Sequence, residues 1–170
     1  MHRKKEEIDE AHGCFTNALK VKKQHYFIDH FSIAETLREL AIVDSKREKY
    51  YEAIVNFESA LTIYQKSLGA HKTTAKILDS LGSLFLSTEQ FNHAYRHLER
   101  ALALKRILFG NDDEEVSDTL HLIGRVQCKS GDIDDALNSL KEGTITFFHL
   151  KHSPNGILMF CFQLRCSSTN

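Results

Sequence analysis

The chain has no tryptophan, one proline and only eight glycines in 170 residues. So few breakers leave little room for the frequent turns of a β-sandwich and favour helices. Charge of one sign is also lacking: 22 Lys and Arg face 23 Asp and Glu, a net charge of −1 with histidines neutral. That balance argues against a partner held by bulk electrostatics, whether nucleic acid or an anionic membrane. No long apolar run is present. Gly156 to Phe162 is the longest, far below the roughly 20 residues needed to span a bilayer. The amino end, MHRKKEEIDE, mixes charges and has no apolar h-region, so no secretory signal is expected. Cys14, Cys128, Cys161 and Cys166 form no CxxC pair. Reduced thiols and a cytoplasmic location are the expectation. What remains is ordinary globular composition, 42% apolar and 26% charged, which excludes wholesale disorder.

What the chain does have is an internal repeat. AETLRELA followed by KYYEAIVNFESALTIYQKSLG lines up with AKILDSLG followed by QFNHAYRHLERALALKRILFG. SDTLHLIG followed by DIDDALNSLKEGTITFFHL makes a third copy. Equivalent positions recur after 41 and then 42 residues: Ala41, Gly82 and Gly124; Tyr50, Phe91 and Ile133; Ala53, Ala94 and Ala136; Ala60, Ala101 and Gly143. Ile8, Ala11 and Ala18 begin an incomplete upstream copy.

Each copy predicts two helices. Leu37, Leu40, Ala41 and Asp44 follow i, i+3, i+4, i+7 spacing, as do Leu78, Leu81, Gly82 and Phe85. The second helix carries Ala53, Phe57, Ala60, Leu61 and Tyr64, then Ala94, Leu98, Ala101, Leu102 and Lys105. Small residues at the crossing let two backbones approach. The turns SKREK, STEQ and KSGD separate the paired helices, and GAHKTT and GNDDEE separate the copies. Acids from Asp112 to Glu115 suit the positive end of a helix dipole.

This pattern resembles the tetratricopeptide repeat of the long, kinesin-light-chain type. Ala34 to Ala41 match its A-x-T-L-x-x-L-A, Tyr50 to Ala53 its Y-x-E-A, Ala60 to Ile63 its A-L-x-I, and Leu68 to His71 its L-G-x-x-H. The resemblance implies an all-α fold, an α-solenoid of stacked antiparallel helix pairs coiled into a right-handed superhelix. Residues 1–152 would form the array: a partial repeat 1–29, then repeats 30–71, 72–112 and 113–152, with a divergent tail 153–170. Zero tryptophan speaks against WD40 blades, and the small-residue spacing against HEAT repeats.

The resemblance also implies a concave face lined by the first helix of each pair. By register, Arg38, Ile42, Asp79, Ser83, His121 and Arg125 project there, with Glu35, Lys76 and Asp118 a turn earlier. Their mixed charge suits a protein or peptide partner. A clamp for chaperone-tail carboxylates does not fit. Its slots would hold Arg38, Ile42, Ser80, Asp118 and Leu122, and Asp118 would repel a carboxylate. The asparagines of kinesin-light-chain grooves are absent from Arg38–Glu39, Asp79–Ser80 and His121–Leu122.

Signals for chemistry are weak. His93 and His97 share one helix face, as a metal pair would, but no third ligand is marked. His149 and His152 read alike. Asp132, Asp134 and Asp135 lack the EF-hand order and are expected at a helix start. No P-loop, dinucleotide fingerprint or nucleophile elbow occurs. Cys128 beside Lys129 is read as a half-buried structural cysteine, Lys20 to Lys23 as a solvated face, and the phenylalanines and tyrosines as packing. The expectation is therefore a non-enzymatic interaction scaffold with protein partners, no cofactor, no metal, no nucleic acid and no membrane. The alternatives are a self-assembling fragment joined through uncapped ends and, less in keeping with the residues, a metal enzyme using His93 and His97. ILMFCF in the tail reads as a capping helix or an exposed patch, and the chain as a truncated or alternatively ended piece of a longer array.

Overall fold

A computed structural model describes the backbone of residues 2–150 and the side chains of residues 5–146. The tail 153–170, with ILMFCF, Cys161 and Cys166, lies outside the described residues, as do His152 and the side chain of His149. Among the described residues there are seven helices and no strand: α1 (His2–His25), α2 (Phe31–Lys46), α3 (Tyr50–Leu68), α4 (Lys72–Ser87), α5 (Phe91–Phe109), α6 (Glu114–Ser130) and α7 (Ile133–Leu150).

The helix ends follow the repeat. His30, His71 and Asp113 occupy one register position and cap α2, α4 and α6. The imidazole Nδ1 of His30 accepts from the Ser32 N–H at 3.2 Å, that of His71 from Thr73 at 3.1 Å, and Asp113 Oδ1 from Glu115 at 2.8 Å. Each satisfies an N–H that the first turn leaves without a partner. The turns inside the pairs are alike too. Lys49, Gln90 and Asp132 donate their N–H back to the carbonyls of Asp44, Phe85 and Gln127 at 2.9, 2.8 and 2.9 Å. That closure needs a left-handed residue just before it. Gly131 supplies it without strain at φ 96°, whereas Glu48 and Glu89 are forced to φ 61° and 57°.

The closest neighbours are α2 with α3, α4 with α5 and α6 with α7, followed by the junctions between pairs. The result is a stacked array of antiparallel pairs, an all-α repeat solenoid. Its core is built around sealed alanines: Ala34, Ala41, Ala53, Ala60, Ala94 and Ala101 have no solvent exposure. At Gly82 the approach is tighter still, because an added Cβ would lie only 2.4 Å from Leu98 Cγ.

The core also holds polar side chains. Asp44 is buried; it accepts from Asn56 Nδ2 at 3.0 Å and has His12 at 3.3 Å and Arg47 at 3.6 Å. The other repeats fill these two slots with Phe85 stacked on His97 and with Gln127 accepting from Ser139. Each pair is matched to itself, polar with polar or ring with ring.

Overpacking the crossing is the direct test. Ala101→Leu is expected to cost about 1–3 kcal/mol in chemical denaturation. Gly82→Ala is expected to destabilise as well, although alanine ordinarily gains about 1 kcal/mol over glycine inside a helix. A gain in stability for Gly82→Ala contradicts the close approach.

Candidate functional site: the strip along the first helices

The helices α2, α4 and α6 stand side by side as the first members of their pairs. A depression of about 360 Å³ opens between α2 and α4 and brings together Ile42, Asp79 and Ser83, flanked by Lys46, Ser80 and Ser87. A second, also about 360 Å³, has Arg125, Cys128 and Lys129 of α6 facing Leu86 and Ser87 of α4. His121 joins neither lining. Its ring lies against α7, with Cε1 3.6 Å from where a Gly143 Cβ would sit.

The strip positions differ in freedom. Arg125 is exposed and has no ion pair among the described residues. Arg38 is half-buried and paired with Glu39, and its charge favours the ionised form of the Tyr64 phenol. Burial of that phenol outweighs Arg38 and raises the Tyr64 pKa above 10.0. Asp79 is held most firmly. Its Oδ2 pairs with Lys105, and its Oδ1 accepts from Thr119 at 3.0 Å. Asp79 thus lines the depression while its carboxylate is tied to Lys105 and Thr119 behind it.

Lys105 organises that interior and was missed as a functional group. It occupies the Tyr64 slot on the apolar stripe and is 1% exposed. Its Nζ also reaches Glu115 Oε2 at 3.2 Å, the Glu115 carbonyl at 2.9 Å and Thr119 Oγ1 at 2.9 Å. An ammonium can be buried only with such partners. The signal was present: a lysine on the stripe, with Asp79 in the Arg38 slot, demands opposite charges at one crossing. Burial raises the Asp79 pKa despite the lysine beside it. For Glu115, burial again acts upward as the largest single influence, but hydrogen bonds and charge from Lys105 and Lys76 outweigh it and the pKa is lowered.

The weaker chemical signals resolve as follows. His93 and His97 both stack on Phe85, with centroids at 5.3 and 5.2 Å. Among the described residues no group of three His, Cys, Asp or Glu is placed to hold a metal. Asp132 accepts from Ser130 at 2.6 Å, and Asp134 and Asp135 lie in the first turn of α7. Cys128 is exposed, not half-buried. Lys20 and Lys23 are solvated, but Lys22 turns inward to the Ser32 carbonyl at 3.1 Å and Thr36 Oγ1 at 2.8 Å. Phe57, Tyr64 and Phe85 are core residues, whereas Tyr26, Phe27 and Tyr51 are exposed.

Paired helices, a shared cap position and a sealed small-residue crossing define a helical-repeat protein. The tetratricopeptide-repeat profile matches residues 32–107 and 73–144, and the chain belongs to that family. Among solved structures, BtubC (BKLC) from P. vanneervenii is similar, with a TM-score of 0.80 and 23% identity over 86% of this chain and 59% of that one. A putative kinesin light chain with nearly identical TPR-like repeats from Podosopora anserina has a TM-score of 0.77 and 17% identity, covering 89% and 72%. MamA has a TM-score of 0.64 and 20% identity, covering 85% and 71%. At these identities the likeness is one of fold, and the chain spans 59% of BtubC. No curated protein sequence matches it.

Two measurements probe the site. Lys105→Met leaves Asp79 buried without its counter-charge and is expected to cost about 3 kcal/mol, with much of that recovered when Asp79→Leu is added. The second concerns His97, whose pKa is lowered from its ordinary 6.5 first by burial and then by Arg100, His93 and Arg96. The unfolded chain therefore takes up a proton near pH 6.5 that the folded chain refuses, so acidification below that value destabilises the fold. His97→Phe keeps a ring against Phe85. Its melting temperature is expected to fall less between pH 7 and pH 5 than that of the parent chain.

Proposed function

We propose that the chain is a non-enzymatic scaffold that holds segments of partner proteins along α2, α4 and α6. The observation that carries this reading is the depression joining Ile42, Asp79 and Ser83 across two repeats, in a family whose stacked helix pairs present a preformed surface. Within the proposed groove, Arg38 and Asp79 act as walls, paired with Glu39 and Lys105. Ile42, Ser83, His121 and Arg125 are the positions that meet the partner, and the array takes in residues 1–152. Exposed Cys14 and Cys128 favour reducing, cytoplasmic surroundings.

A second reading, self-assembly through an end of the array, draws support from α1. Ala11, Phe15 and Ala18 are only half-buried, whereas their register equivalents Ala53, Phe57 and Ala60 are sealed.

Ser83→Glu combined with Arg125→Glu reverses or adds charge on the strip without touching the sealed crossing. Proteins captured from extract by the parent chain are expected to bind the variant about tenfold more weakly, with the melting temperature unchanged. Unchanged capture by a folded variant removes the groove assignment. Light scattering on the same preparations reads the second possibility, which a concentration-independent monomer eliminates.

A further inference from the structure

The connection between α1 and α2 is unlike the two later connections at the same edge of the array. In register, Phe27–Ile28 corresponds to Leu68–Gly69 and Phe109–Gly110. Leu68 is 39% exposed, and Phe109 is half-buried beneath the Lys72 ammonium, 5.7 Å from its ring. Phe27 is 92% exposed and Ile28 73%, with isoleucine standing where the other loops have glycine. Two adjacent large apolar side chains this open are costly in water.

The loop is nevertheless braced. The Tyr26 ring stacks on His30 at 4.3 Å. The His30 N–H donates to the Phe27 carbonyl at 2.9 Å, and Phe31 meets Tyr64 edge-on at 5.3 Å. Asp29 is neutralised by Lys66 at 2.8 Å. It is the single acid between Glu10 and Glu35, a stretch that holds Lys20, Lys22 and Lys23. Lys22 is spent inward, while Lys20 and Lys23 are exposed and have no ion pair among the described residues. The braced tip therefore presents apolar side chains directly after a helix whose last turns carry exposed cations.

We propose that this loop is a docking element for an acidic phospholipid surface. Phe27 and Ile28 enter the boundary between headgroups and acyl chains, and Lys20 and Lys23 meet the phosphates. Apolar residues flanked by lysines are the chemistry that such an interface selects. A protein partner would need a pocket shaped for the tip, whereas a bilayer accepts it without one. The net charge of −1 is no obstacle, because Asp29, the one acid of this stretch, is paired with Lys66. Glu10 lies roughly 15 Å along α1 from Lys20, beyond the screening length of about 8 Å at physiological salt. Attachment would be peripheral, since among the described residues no helix is long and apolar enough to cross a membrane.

Cosedimentation of the 170-residue chain with vesicles tests this, using phosphatidylcholine alone and phosphatidylcholine mixed with phosphatidylserine. Salt-sensitive binding to the mixed vesicles is expected. It should fall at least tenfold in Phe27→Ser/Ile28→Ser and in Lys20→Glu/Lys23→Glu, with circular dichroism melts of both matching the parent chain. Absence of binding to phosphatidylserine vesicles overturns the proposal, and so does binding that both folded variants retain. If Phe27→Ser/Ile28→Ser changes only the mass seen by light scattering, the tip is a protein interface and the membrane assignment falls.

Discussion

The structure depends on how closely two helices can approach at one point in each repeat. At that crossing Ala53, Ala60, Ala94 and Ala101 have no exposed surface, and the space beyond the Gly82 Cα is filled by Leu98. A larger residue on either side would separate the backbones, and the pair would lose the dispersion contacts of every neighbouring leucine at once. Spacing between pairs follows from spacing within them. The strip formed by α2, α4 and α6 therefore takes its shape from alanines and glycines that never reach the surface. Where the third repeat has Gly143 in place of alanine, Ser117 donates to its carbonyl at 2.8 Å, so the closer approach is fastened by a hydrogen bond.

A second constraint acts where one pair meets the next, and the repeats solve it in two ways. At the α3–α4 junction Tyr64 and Ile77 are both buried. At the α1–α2 and α5–α6 junctions the same two slots hold Lys22 with Thr36 and Lys105 with Thr119, bonded at 2.8 and 2.9 Å. Lysine appears where threonine can accept, and tyrosine where isoleucine cannot. An apolar junction and a buried ionic one thus support the same stacking in one chain. This agrees with the general finding that a buried ion pair adds little net stability over a packed apolar alternative, although breaking it is costly. The α5–α6 junction needs more than the hydroxyl, because its ammonium is sealed; Asp79 and Glu115 complete the set.

Periodicity made the pairing, the number of copies and the small-residue crossing legible, because tandem copies print the same constraint several times over. The strip was legible only as a set of positions. A register argument reports which side of a helix a residue occupies, not whether another helix has already claimed its side chain. Asp79 and Arg125 have the same kind of address, yet Lys105 holds one and no ion pair among the described residues holds the other. Phe27 escaped notice for the opposite reason. Its slot is a loop edge in every copy, and only the exposure of Phe27 beside Ile28 separates it from the sheltered Phe109.

These differences bear on where discrimination between partners would arise in the proposed groove. A side chain already bonded within the array contributes shape and a fixed charge at little cost in conformational entropy on binding. A free one contributes reach but must be ordered when it engages. Arg38, paired with Glu39, and Asp79, held by Lys105, belong to the first kind and Arg125 to the second. The α2–α4 depression would therefore act as a rigid template, whereas the α6 end, with Arg125 beside Lys129, would adapt to an anionic group on whatever passes across it. The buried Lys105 network connects the two halves: by fixing Asp79 from below, it fixes the wall against which any partner in the depression must fit.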